Sequence, residues 1–134
     1  MKLIADSTVL IHLWRHRKHQ DRIVPLRERL IGHEPLLPWM VLYEFARGHF
    51  HRGRTEAEMM DFLARFTLLP TTQAQVLRAA RIASELQSKG ITPGTGDAWI
   101  AAAALEADLP VLTHNVDHFN QVPGVQVISY TILP

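Results

Sequence analysis

Several acidic residues of this chain stand where they could do chemistry. Asp6 follows the short apolar run LIA, and Glu44 stands alone among Trp39, Met40, Val41, Leu42, Tyr43 and Phe45. Asp97 opens the apolar stretch AWIAAAAL, and Asn115 and Asp117 follow PVLT. Carboxylates gathered in one cleft repel one another, and a divalent cation is the natural resolution. The chain has no cysteine, so ligands would be oxygen or imidazole, and an all-oxygen set favours Mg²⁺ or Mn²⁺ over zinc or copper. Asp6 and Asp97 also have a plainer reading as helix N-caps. Glu44 is harder to explain away, because a lone carboxylate on an apolar face is costly to bury unpaired.

Eight histidines raise a zinc alternative, since His12 with His16 and His114 with His118 are each four residues apart. Neither pair carries an HExxH signature, so ordinary surface histidines are the better reading. The stretch RGHFHRGR, Arg47 to Arg54, surrounds an aromatic with basic groups and suits either phosphate contact or an exposed helix-helix loop. Trp14, Trp39 and Trp99 sit in or beside apolar helix patches and read as core or dimer contacts rather than base-stacking platforms.

The elements that must position these groups alternate between strand and helix. LIA at 3 to 5 predicts a strand. The apolar positions Val9, Leu10, Leu13 and Trp14 predict the helix that follows. A short helix is expected from about Pro25 to Ile31, a clipped strand over Pro35 to Pro38, and a helix from Trp39 to Arg47 closed by Gly48. Thr55 with Glu58 forms a capping box ahead of Met59, Phe62, Leu63 and Phe66, spaced as one helix face. A possible strand at Thr67 to Leu69 precedes a second capping signal, Thr72 with Gln75. From there Val76, Ala79, Ala80, Ala83 and Leu86 predict an inward face ending at Gly90. After the turn-rich ITPGTG, the segment DAWIAAAALEA predicts a helix. Pro110 to Leu112 and Val125 to Ile128 predict the last strands. With no tight hairpin signal, this alternation argues for a parallel sheet covered by helices on both faces, whose functional crevice lies beyond the carboxyl ends of the strands.

The chain is 134 residues long, 47% hydrophobic and 20% charged, which fits one globular domain over 1–134 and excludes wholesale disorder. Its longest apolar run, Ala98 to Leu105, is far too short to span a bilayer, and the start shows no secretory signal, so a cytoplasmic protein is expected. Net charge is +1, but residues 15 to 54 hold nine basic residues against four acids. That segregation could put phosphate contacts on one face.

LIADSTVLI, VLYEFARG, DAWIAAAALEADLPVLTHNVDHF and the closing PGVQVI resemble, in order and over almost the whole chain, the PIN-domain ribonucleases. Within them the sequence is most similar to the VapC toxins of bacterial toxin-antitoxin pairs. The resemblance implies a three-layer α/β/α sandwich with a central, mainly parallel sheet and a Mg²⁺-dependent endoribonuclease site. It also implies a homodimer bound by an antitoxin. Asp6, Glu44 and Asp97 match the family's three acidic positions, and Thr113 matches its supporting hydroxyl. The implied roles are Mg²⁺ held by Asp6 and Asp97, Glu44 activating a water, and RNA products with a 5′-phosphate and a 3′-hydroxyl. The fourth acidic position of many members is Asn115 here. Either Asn115 serves by hydrogen bonding, or Asp117 supplies the charge. The departure also leaves open a degenerate, non-catalytic PIN module that binds RNA or protein. A phosphoacceptor domain fits less well, since Asp6-Ser7-Thr8 lacks the second acid such domains carry.

Overall fold

The computed structural model describes residues 1–92 and 96–134, so the middle of the ITPGTG turn expected from the sequence lies outside the described residues. Five short strands, β1 (Lys2–Ala5), β2 (Glu34–Leu37), β3 (Thr67–Leu68), β4 (Val111–Thr113) and β5 (Val127–Ser129), form one sheet in the order β3-β2-β1-β4-β5. Every pairing is parallel. Among the described residues six α-helices complete the α/β/α sandwich: α1 (Ser7–Arg15), α2 (Val24–Leu30), α3 (Trp39–His51), α4 (Glu56–Leu63), α5 (Gln73–Ser88) and α6 (Asp97–Ala107). No helix among the described residues is long and apolar enough to cross a membrane.

β1 is central and fully apolar where it is buried, with Leu3, Ile4 and Ala5 at the bottom of the core. The chain winds outward from β1 through β2 to β3, then returns to β4 on the other side of β1. The sheet therefore changes winding direction between β1 and β4, the place where open parallel sheets leave a crevice. α6 buries Ala98, Ile100 and all four alanines from 101 to 104, as expected of a helix apolar on every side. Those small side chains let it lie between the sheet and α5.

Some elements run differently from the sequence expectation. α3 continues through Gly48 to His51. Burying Phe45 and His49 against the Trp14 ring outweighs the roughly 1 kcal/mol that a mid-helix glycine costs. α4 has the expected capping box between Thr55 and Glu58, yet it stops at Leu63. The chain must leave the helix there to enter β3, and Phe66 still packs on Phe62 from beyond the helix end. On α5 the inward face is Gln75, Ala79, Ile82 and Leu86, while Val76 and Ala80 are exposed. The packing of α5 on α6 sets this face and turns Val76 and Ala80 outward. β5 is displaced two residues from the expected start, with Val125 outside it. Of the tryptophans, Trp14 packs on Phe45 and Phe62, whereas Trp39 is 38% exposed and meets Trp99 edge-on at 5.2 Å.

Candidate active site

Asp6 is the first residue beyond β1, and its backbone N–H still donates to Leu112 of β4 (3.1 Å). This places its side chain at the β1/β4 crevice with only 3% of its surface exposed. It occupies the N-cap position of α1 without capping it. The carboxylate instead collects hydroxyl donors. Thr113 Oγ1 (2.7 Å) and Thr8 Oγ1 (3.2 Å) both donate to Oδ2. The backbone N–H groups of Asn115 and His114 donate to those same hydroxyls, at 2.9 and 3.2 Å. With their lone pairs engaged, both hydroxyls turn their protons toward Asp6. The buried carboxylate is thereby satisfied by hydroxyl donors without a basic partner.

Ser7 ties the second acid to the first. Its Oγ lies 3.4 Å from Asp6 Oδ1 and 3.2 Å from Glu44 Oε2, so a single hydroxyl proton is shared between two carboxylates. Glu44 projects from the second turn of α3, which follows β2 directly, and its Oε1 is buried with no hydrogen-bond partner. Burial raises the Glu44 pKa above the usual glutamate range, and repulsion from Asp6 and Asp97 adds to it, against the Ser7 hydrogen bond and Arg47.

Asp97 is brought in by a tight approach. Gly96, in the left-handed conformation at φ +90°, precedes it, and a Cβ at that position would collide with Glu44 Oε1 and with Met40. Only glycine allows the start of α6 to close on α3 here. The Asp97 pKa is also raised, first by burial and then by Asp6. His118 opposes the shift, with Nδ1 3.4 Å from Asp97 Oδ2. Asp97 is not an N-cap either, because the cap position is Gly96.

The three acids expected from the sequence thus share one crevice and sense one another electrostatically, and Thr113 supports Asp6 from the adjacent strand. Asn115 is half-buried and engages Thr113 through its backbone. Asp117 is exposed but lines, with Asp97 and His118, a cavity of about 300 Å³. The paired histidines do not act as pairs. His12 shares a hydrogen bond with the buried Tyr130 hydroxyl (2.8 Å), whereas His118 faces Asp97. Among the described residues no group of three or more His, Asp or Glu side chains is gathered so that it could hold a metal ion.

Ser7, Thr8 and Gly96 join the site beyond the residues expected from the sequence, and His118, expected as an ordinary surface histidine, faces Asp97. The signal for the first two was present: two hydroxyl residues directly after an acid at a strand end are placed to donate to it. Gly96 could have been found only from the distance between α3 and α6.

The PIN-domain family model matches residues 3–125. The chain belongs to the PIN-domain family. Ribonuclease VapC1 from Rickettsia felis is 28% identical to this PIN-domain chain over 129 residues, covering 96% of each. Ribonuclease VapC from Rickettsia bellii is 26% identical over 129 residues, again covering 96% of each. Among solved structures, VapBC-1 from nontypeable Haemophilus influenzae superposes with a TM-score of 0.78 at 22% identity, over 96% of this chain and 98% of that one. DNA-bound VapBC from Salmonella typhimurium gives the same TM-score, identity and coverage. At that identity the superpositions establish the fold.

Proposed function

We propose that this PIN-domain protein is an endoribonuclease that requires Mg²⁺ or Mn²⁺ and acts as the toxin of a toxin-antitoxin pair. One observation carries the chemistry: Asp6, Glu44 and Asp97 crowd a single crevice, and Glu44 Oε1 is left buried and unpartnered beside them. Surplus negative charge with an unused acceptor suits a cation. Mg²⁺ commonly binds through only one or two carboxylates and keeps several waters, so a site that does not enclose the ion by itself fits it. Asp6 and Asp97 would hold the ion, which supplies positive charge against the charge developing on the phosphate.

The remaining steps belong to the protein. Glu44 Oε1 takes the proton of a water placed in line with the scissile phosphodiester bond. The raised Glu44 pKa makes this carboxylate a stronger base than a solvated one. Ser7 fixes the other Glu44 oxygen, and Thr113 and Thr8 fix Asp6, so neither acid must reorient during the reaction. Attack by water leaves a 5′-phosphate and a 3′-hydroxyl. The partner reading rests on relatives solved as VapBC complexes. A second copy of this chain is proposed on the exposed aromatic pair Trp39 and Tyr43.

The test uses the protein freed of any partner. It is expected to cut RNA internally with Mg²⁺ or Mn²⁺ and to stop on addition of EDTA. Cleavage that persists in EDTA would remove the metal, and failure to cut any RNA would leave a binding module. A paired comparison addresses the fourth position. Because Asp117 shares a cavity with Asp97, Asp117→Asn is expected to lower the rate about tenfold and Asn115→Ala much less. The reverse order in single-turnover assays would assign the position to Asn115.

A further inference from the structure

Four buried side-chain polar atoms lack a hydrogen-bond partner among the described residues: Glu44 Oε1, Trp14 Nε1, His49 Nε2 and Arg54 Nη1. All four residues line one cavity of about 340 Å³ between the ends of α1 and α3. Buried groups left unsatisfied are uncommon, and several around one cavity indicate a missing occupant. Glu44 belongs to the site described above. The other three atoms have no partner among the described residues.

Their chemistry restricts what could complete them. Trp14 Nε1 and Arg54 Nη1 can only donate. His49 is 3% exposed, and its Nδ1 donates to the Phe45 carbonyl (3.2 Å), so Nε2 carries a proton only when the ring is charged. Arg15, Arg17 and Arg52 line the same cavity, and none of the four arginines is in an ion pair among the described residues. Arg17 and Arg54 lie over the Trp14 ring at 4.1 and 5.7 Å. The carboxyl ends of α1 and α3 account for basic groups at Arg15 and Arg52. They do not account for the buried donors of Trp14 and Arg54. Trp14 Nε1 and Arg54 Nη1 need acceptors, and the surrounding arginines favour an anion. Glu44 Oε1 and the unprotonated His49 Nε2 need a donor such as a bound water. The occupant is therefore an anion that carries water with it toward Glu44.

An RNA strand bound for cleavage at Glu44 brings such a group with it, because every flanking nucleotide carries a phosphate. Guanidinium forks match phosphate oxygens, and basic grooves edged by aromatic rings suit single strands. We propose that this cavity is a subsite for a backbone phosphate flanking the bond to be cut, held by Trp14 Nε1, Arg54 and Arg17; this rests on the ribonuclease reading. The subsite sets where a strand lies relative to Glu44, and so favours single-stranded RNA that can bend into the cavity.

Binding is measured by fluorescence anisotropy with a labelled single-stranded RNA oligonucleotide and the inactivated Asp97→Asn protein as parent. Adding Arg54→Gln is expected to raise Kd about tenfold and to reduce the slope of log K against log salt by about 0.7, one phosphate contact on a single strand. Adding Trp14→Phe, which removes the indole N–H together with its five-membered ring and so loosens the packing on Phe45 and Phe62, is expected to raise Kd severalfold at a temperature where the variant's melting curve shows it fully folded. Lys2→Gln, at the opposite end of β1, serves as the charge control and is expected to leave both quantities unaltered. Parent-like binding by both cavity variants would overturn the subsite while leaving the ribonuclease reading intact. If Arg54→Gln loosened a co-purifying protein partner and spared RNA binding, the occupant would be a partner's carboxylate and the proposal would fall. If the wild-type protein neither bound nor cut RNA, the ribonuclease reading would fail and take the subsite with it.

Discussion

Replacing Asp97 by asparagine is expected to lower the cleavage rate by about 10³-fold or more while making the metal-free protein more stable at neutral pH. Asparagine keeps the shape of aspartate and removes its charge, so a metal-dependent step loses a ligand without a cavity being opened. The stability change follows from the direction of the pKa shift. Burial and Asp6 raise the Asp97 pKa in the folded chain. The folded protein therefore holds a proton more tightly than the unfolded one, and this contribution is complete only below the ordinary aspartate pKa. It is lost as pH rises through the raised folded value, so above it ionised Asp97 weakens the fold. In EDTA the variant is expected to melt above the wild type at pH 7, with the gap closing on acidification. Wild-type activity in the variant, or a lower melting temperature in EDTA, would contradict the charge-crowding account.

Glu44→Gln is expected to lower the rate by about 10² to 10⁴-fold, the range of a lost general base. Glutamine can retain the Ser7 contact at Oε2, so the geometry of the crevice survives while the proton acceptor is gone. This variant separates the two roles. Mg²⁺ is expected to raise the melting temperature of Glu44→Gln as it does for wild type, and to do so much less for Asp97→Asn. Loss of the Mg²⁺ effect in Glu44→Gln would make Glu44 a ligand instead of a base.

The residues legible in the sequence were those whose cost forces an explanation. A lone glutamate in an apolar helix and an aspartate at a strand end announce themselves through burial and position. The alternation of short apolar runs with capped helices also conveyed the parallel sheet, because strand faces buried on both sides carry no polar alternation. What could not be read was anything set by two elements meeting in space. The collision that reserves position 96 for glycine depends on how near α6 comes to α3. Gly48 read as a stop because local propensity was weighed without Trp14, which waits on another helix to bury Phe45 and His49. The rotation of α5 followed from its packing on α6, a contact that the α5 residues alone do not specify.

The bond from Thr113 to Asp6 spans 107 positions of sequence. β4 also supplies the pairing that closes one side of β1. During synthesis Asp6 is therefore followed at once by its donors Ser7 and Thr8 but left without Thr113 until β4 leaves the ribosome. At about 5 to 20 residues per second, several seconds separate the two events. An elongating chain, or one truncated before β4, cannot assemble the crevice. The crevice thus comes into being only after β4 has emerged and paired with β1.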